Sequence, residues 1–387
     1  MNKNILCIFL IFLSTNAIGQ NLPYARQVID TLTSNHFWGR GYTNDGMKKA
    51  ADYIAAQLAE AGVKPLKTND YFQQFSYPVN TFPGKMQLTI NGKELVAGRD
   101  YLVGPQSKGV VGQGSFEQID SRQFLDARKK VLVMHDEKLT WSVEKEQANY
   151  TLLFVKKGSV EGEPKSYSVN IDQKFEKNFK ASNVCGIVKG TRKPDSVVVF
   201  TAHYDHLGGM GNETYFPGAN DNASGISLLL NLAKHYAENP PAYSVVFIAF
   251  AGEEAGLVGS KYFVDNPLLP LSSIRFLLNV DLVGTGEEGI TVVNASEFAK
   301  EFTLLNKIND RQQLLTKINA RGKAANSDHY WFTEKGVPAF FVYTLGGIAA
   351  YHDIMDKGAT LPLTEYNDLF KLIVGFNECL MEGQGSD

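Results

Sequence analysis

The sequence predicts an α/β protein: a three-layer α/β/α sandwich on a mixed, mostly parallel central sheet, plus a β-rich insertion. Three observations predict it. From residue 184 onward, short runs apolar on both faces alternate with segments whose apolar residues recur every three to four positions. Strands apolar on both faces need cover on both sides, which flanking helices supply. Between residues 72 and 178, by contrast, short strand-like runs dominate and helical periodicity is scarce.

In chain order, residues 28–37 lead to a turn at Trp38-Gly39-Arg40-Gly41. Residues 47–62 read as a helix: Ala50, Ile54, Leu58 and Ala61 share a face, Asn44 or Asp45 can cap its start, and Gly62 suits its end. The insertion offers strands at Met86–Ile90, 131–134, 150–155 and 167–171, with Asn91-Gly92 as a hairpin turn. Strands at 184–188 and 197–202 come next. A helix follows at 223–237, with Ile226, Leu229, Leu230 and Ala233 on its apolar side. Then come a strand at 245–250, a helix at 257–264, a strand at 276–280, a mostly helical stretch at 298–315, a strand at 337–343 and a closing helix at 364–381. Residues 20–71 and 179–387 thus form one α/β domain, and residues 72–178 are inserted into it.

The chain has 387 residues, 44% of them hydrophobic, enough for a sizeable core. Its net charge of -3 gives no argument for a nucleic-acid or anionic-membrane partner. Residues 1–19 read as a signal peptide. Lys3 precedes an apolar run at 5–13, too short to span a bilayer, and Ala17-Ile18-Gly19 resembles a cleavage site that leaves Gln20 first. The expected destination is therefore the periplasm or the extracellular medium. Beyond the signal, Cys185 and Cys379 do not make a disulfide framework; two buried free thiols are expected.

Charged and polar residues gather where the apolar strands end, which is where open α/β sheets bind ligands. TAHYDHLG (201–208) brings His203 and Asp205. PGANDNASG (217–225) places Asp221 before a helix. FAGEEAGLVGS (250–260) carries Glu253 and Glu254, LNVDLVG (278–284) carries Asp281, and Tyr351-His352-Asp353 follows the last strand. Each has an ordinary explanation alone: a helix cap, a helix-dipole partner, a loop acid, an exposed histidine. Five such groups around one crevice are not explained by capping. Three crowded carboxylates repel one another. Two divalent cations and one bridging hydroxide would balance Asp221, Glu254 and Asp281, and the mixture of imidazole and carboxylate suits zinc. The single-zinc H-E-x-x-H helix motif is absent from the sequence.

On these motifs, the segments 184–378 and 39–65 resemble the co-catalytic dizinc aminopeptidases of the aminopeptidase Y and bacterial leucyl aminopeptidase type. Glutamate carboxypeptidase II, the transferrin receptor and glutaminyl cyclases are more distant relatives. The resemblance implies a zinc-dependent aminopeptidase acting on peptides with free N-termini, with two Zn²⁺ per chain. His203 and Asp281 would be terminal ligands of one zinc, Glu254 and His352 of the other, and Asp221 would bridge, with a cis bond to Asn222. Asp205 would orient the His203 imidazole. Glu253 would act as general base, taking a proton from the metal-bound water, which leaves a bridging hydroxide, and passing it to the leaving amine. NSDHYWF (326–332) also matches a family segment; Asp328 and His329 would order the loop beside the substrate, and Tyr343 would line its pocket. His36, His135, His206 and His235 are read as surface or locally hydrogen-bonded residues. The insertion matches either a protease-associated β domain or a shorter lid.

Other readings of the same residues remain. A carboxypeptidase or dipeptidase would need basic residues reaching the substrate carboxylate, for which Arg321 and Lys323 lie close in sequence to the NSDH segment. A glutaminyl cyclase of this type works with one zinc, against which the full ligand set argues. A receptor-like binding protein would have lost ligands, and none is lost here.

Overall fold

The structure, a computed structural model, describes residues 22–67 and 69–382. The expected signal peptide lies outside the described residues. A nine-stranded sheet organises the chain. At its centre, Tyr243–Phe250, Lys193–His203, Ile274–Val280 and Ala339–Thr344 lie side by side and parallel. Antiparallel pairing begins on either side of this block. Lys174–Val188 joins Tyr243–Phe250, with Lys64–Pro65 beyond it, and Ile290–Val293 joins Ala339–Thr344, with Ile318–Arg321 at the far edge.

Alternation along the central strands shows why both faces are covered. Val198, Phe200 and Ala202, with Val245, Phe247 and Ala249, belong to one buried cluster shared with helices Leu22–Leu32, Gly46–Glu60, Gly225–Glu238 and Tyr366–Glu382. Val197 and Val199, with Val246, Ile248 and Phe250, belong to a second cluster with Phe263 and Phe332 from helices Val258–Asp265 and His329–Glu334. Period-two strands therefore feed two separate apolar layers, as a doubly covered sheet requires. The four residues expected on the inner side of Gly225–Glu238 are all buried.

Ile290–Val293 and Ile318–Arg321 of the main sheet are among the strands that have no counterpart in the sequence reading. Each is four residues long and gains its identity from pairing, not from local pattern. Helix Leu22–Leu32 is likewise additional. The turn at 38–41 is present, with Trp38 and Gly39 in the left-handed region at φ 45° and 60°.

The insertion begins with the Phe72–Thr81 strand, which pairs antiparallel with Lys174–Val188 from Phe72 opposite Val184 to Thr81 opposite Lys174. These two strands extend the central sheet outward. Beyond them stand a five-stranded and a four-stranded sheet. Asn91 and Gly92 turn the Met86–Ile90 strand into Lys93–Leu95 with φ of 50° and 81°, the left-handed pair that a type I′ hairpin demands. The insertion has its own core, including Leu88, Ile90, Tyr101, Val133, Leu153 and Val169, and Leu207, Met210 and Phe216 from the main domain join it. That shared core seats the insertion on the loop that follows His203. Both cysteines are free; Cys185 is buried and Cys379 half-buried. No helix of the described residues is long and apolar enough to cross a membrane.

Leu153 is fully buried in the insertion core. Leu153→Ala is expected to cost about 2–5 kcal/mol of stability, measured by urea denaturation; a loss below about 1 kcal/mol would mean that this core is not close-packed.

Candidate metal centre

Parallel strands end their backbones on one edge of the sheet, and the candidate residues sit there. His203 is the last residue of Lys193–His203. Glu253 and Glu254 follow Tyr243–Phe250, and Asp281 follows Ile274–Val280. Asp221 lies in an irregular turn, Ala219–Ser224, just before helix Gly225–Glu238, and its bond to Asn222 is cis, as the sequence reading expects. His352 comes from the loop after Ala339–Thr344. All six line one cleft of about 330 Å³, together with Leu282, Arg321, Asn326, Phe341, Tyr343 and Tyr351.

The distances group them around Asp221. Its Oδ1 lies 3.4 Å from His203 Nε2, and its Oδ2 lies 3.2 Å from His352 Nε2. His203 Nε2 is also 3.3 Å from Asp281 Oδ1, and His352 Nε2 is 3.2 Å from Glu254 Oε2. One carboxylate thus faces two imidazoles, each of which faces a further acid. Glu253 closes on the first group: ligand atoms of His203, Glu253 and Asp281 lie within 4.8 Å of one another. A second set with the same spread is His206, Asp221 and Glu254.

Main-chain and buried polar contacts fix the candidate residues. Asp356 accepts hydrogen bonds from the backbone N–H groups of Asn220 and Asp221. The buried Arg40 guanidinium donates to the carbonyls of Leu32, Tyr204, Pro217, Gly218 and Asp221, tying the Asp221 turn to the His203 loop. Asn222 Oδ1 accepts from Gly225 and Leu282, and its amide donates to the Val280 carbonyl. Asn279 donates to Ser327 Oγ at 2.8 Å, and Ser327 donates to Asp281 Oδ2 at 3.2 Å. His352 donates from Nδ1 to the Trp141 carbonyl at 2.8 Å, and the Trp141 N–H returns a bond to the His352 carbonyl at 3.2 Å. The insertion therefore sets which His352 nitrogen faces Asp221. Trp141 is itself locked, donating from its indole to the Val103 carbonyl and stacking on Phe216 at 4.8 Å.

Two expectations need correction. The Asp205 carboxylate is 3.9 Å from His203 Nδ1, and the closer partner is the Asp205 carbonyl at 3.1 Å. The carboxylate instead accepts the backbone N–H groups of Glu253 and Glu254, at 3.1 and 3.3 Å, so Asp205 positions the Glu pair by its side chain and His203 by its main chain. His206 is neither superficial nor bonded only within its own loop: it is fully buried, and its Nδ1 lies 2.7 Å from Glu254 Oε1, leaving Oε2 toward His352. Asp328 and His329, expected to order the loop beside the substrate, are buried and are not among the residues that line the cleft, whereas Tyr343 lines it. Of the remaining histidines, His36 is exposed and His135 and His235 are half-buried. Arg40, Trp141 and Asp356 carried no signal beyond residue type. His206 had one, its place three residues after His203 in the same motif.

Burial works against every charge here. It opposes protonation of His203, yet Asp281 and Glu253 hold that imidazole well above its usual range; Glu254 and Asp221 likewise raise His352, to about 11. Burial would raise Asp221, but bonds from His203 and His352 keep it well below the usual carboxylate range. Glu253 goes the other way: burial, then Glu254, Asp328 and Asp281, push it well up against the pull of His203. The donor set fits divalent cations. Oxygen and nitrogen donors of the right kinds converge, the Asp281 Oδ1 atom is buried without a hydrogen-bond partner, and thiolates are absent from both groups.

The sequence profile of peptidase family M28 matches residues 183–376, half of the 387-residue chain. An aminopeptidase of Bacillus subtilis strain 168 is 33% identical over 167 residues, covering 41% of this chain and 35% of the relative. A probable leucine aminopeptidase of Arthroderma otae is 30% identical over 217 residues, covering 53% and 59%. The chain spans between 24% and 59% of the length of such curated relatives. In fold, a peptidase M28 precursor from Shewanella amazonensis superposes with a TM-score of 0.74 at 15% identity, over 95% of each chain.

Trp141→Ala removes the anchor of the carbonyl that orients His352. Metal affinity is expected to fall roughly 10–100-fold, measured by competition with a chromogenic chelator. Trp141→Phe, which keeps a ring against Phe216, should lose less; equal affinity in all three proteins would separate the insertion from the metal centre.

Proposed function

The chain belongs to peptidase family M28, and from that premise we propose that it is an exported aminopeptidase that uses two zinc ions to hydrolyse the N-terminal bond of peptides. The observation that carries this reading is the Asp221 carboxylate, which turns one oxygen toward His203 and the other toward His352. A carboxylate so placed would serve two ions at once, with His203 and Asp281 holding one and His352 and Glu254 the other. The N-terminal segment with Lys3, an apolar run and Ala17-Ile18-Gly19 supports export to the periplasm or medium.

Zinc bound there supplies a Lewis acid for the scissile carbonyl and lowers the pKa of water. The chain's residues do the rest. Glu253 lines the cleft beside the ligands, and its raised proton affinity suits a group that takes a proton from the attacking water and returns it to the leaving amine. Asp205 holds the Glu253 backbone, so the base stays within reach while its neighbour Glu254 turns toward His352. Phe341, Tyr343 and Tyr351 wall the cleft and limit water around the reacting bond.

A same-fold carboxypeptidase, dipeptidase or glutaminyl cyclase would use the same ligands on other substrates, and a receptor-like protein would use none of the chemistry. The test assays leucine p-nitroanilide beside an N-acetylated peptide. Cleavage of the unblocked substrate, lost with a chelator and restored by zinc, is expected; cleavage of the blocked peptide alone would sink the aminopeptidase reading. Glu253→Gln should still bind two zinc ions per chain by elemental analysis but turn over on the order of 10²–10⁴-fold more slowly. Near-normal turnover in that variant would remove Glu253 from the proton transfer.

A further inference from the structure

The proposed chemistry leaves one charged residue of the cleft without a task. Arg321 ends the edge strand Ile318–Arg321, in register with Val293, which is itself in register with Phe341. That pairing carries Arg321 to the cleft wall beside Phe341 and Tyr343. Its guanidinium is exposed, donates one hydrogen bond, from Nη1 to Tyr343 Oη at 3.3 Å, and pairs with no carboxylate among the described residues. Lys323, two residues on, is different: it is ion-paired with Glu334 and does not line the cleft. Arg321 is the one lysine or arginine among the described lining residues, set against Asp221, Glu253, Glu254 and Asp281.

This arrangement has a physical consequence. Unaided, four acids would repel an anionic ligand. Cations held between the acids would offset their charge, leaving the Arg321 charge unmatched at the wall. A guanidinium is a planar fork whose paired N–H donors match a carboxylate. Aromatic walls beside it reduce competition from water and strengthen such a contact. At about 330 Å³ the cleft is at the small end of ligand sites, which span roughly 300–1,000 Å³, so it suits a short peptide.

We infer that Arg321 anchors a carboxylate of the substrate, so that the preferred peptides carry an anion close to the scissile bond. Two sources share this chemistry: an acidic side chain on the first residue, and the C-terminal carboxylate of a dipeptide. The inference rests on the aminopeptidase reading and narrows it.

The test uses substrate pairs that differ only in carboxylate against carboxamide: glutamyl against glutaminyl p-nitroanilide, and leucylglycine against its C-terminal amide. Zinc-loaded wild type should favour the carboxylate member of one pair by on the order of 10–100-fold in kcat/KM, expressed mainly in KM, as for an interaction made equally in ground and transition states. Preference in the first pair puts the anion in the first side chain; preference in the second puts it at the C-terminus. Arg321→Gln should bring the ratio close to one, and Arg321→Lys should keep part of it. Ratios near one in both pairs for wild type, or a preference that survives Arg321→Gln, would overturn the inference. Leucine p-nitroanilide is the control for the underlying reading. If wild type fails on it, the same pairs are compared by calorimetric binding to zinc-loaded Glu253→Gln, with and without Arg321→Gln, and the same two outcomes decide.

Discussion

Asp221 turns its two carboxylate oxygens to two different imidazoles, and the architecture around the cleft serves to keep it there. A buried acid flanked by Glu254 and Asp281 is electrostatically unfavourable unless positive charge lies between them. The chain meets that demand with imidazoles at 3.2–3.4 Å and with a rigid backbone frame. Asp356 and Arg40 both hold the turn that carries Asp221, one by accepting its N–H groups and the other by donating to its carbonyls. Satisfying those main-chain groups matters because buried donors and acceptors left alone are costly.

The same logic separates the two glutamates. Their backbones are tied to one Asp205 carboxylate, yet their side chains live in different fields. Glu254, beside His206 and His352, is held down to about 2 despite its burial; Glu253 is pushed up by burial and by the neighbouring acids. Two adjacent residues of one type thus acquire opposite proton affinities, a difference that suits the roles proposed for them.

The β-rich insertion is part of this arrangement. Its core is continuous with Leu207, Met210 and Phe216 of the main domain, and its Trp141 backbone exchanges two hydrogen bonds with His352. Such a contact couples the packing of the insertion to the orientation of the His352 ring. It also places the insertion beside the cleft, where Lys138 reaches the Ala349 carbonyl of the loop that carries His352.

What the sequence determined by itself was whatever depends on short-range pattern. Short runs apolar on both faces and period-3.6 repeats located the central strands and their helices, the Asn91-Gly92 pair located a hairpin, and the recurrence of acids and histidines at strand ends pointed to the groups that gather around Asp221. Tertiary structure decided what depends on partners far apart in the chain. Ile290–Val293 and Ile318–Arg321 are too short to declare themselves and become strands only through pairing. His206 looked like a bystander until the Glu254 carboxylate arrived from a different strand end, and Asp205 exchanged an expected side-chain contact for a main-chain one. Asp328 and His329, close in sequence to a cleft residue, are turned into the protein by the helix they begin, while Arg321 is brought to the cleft by strand register. Residue type and spacing determine which groups are available for chemistry; only the packed backbone determines which atom of each group faces which neighbour.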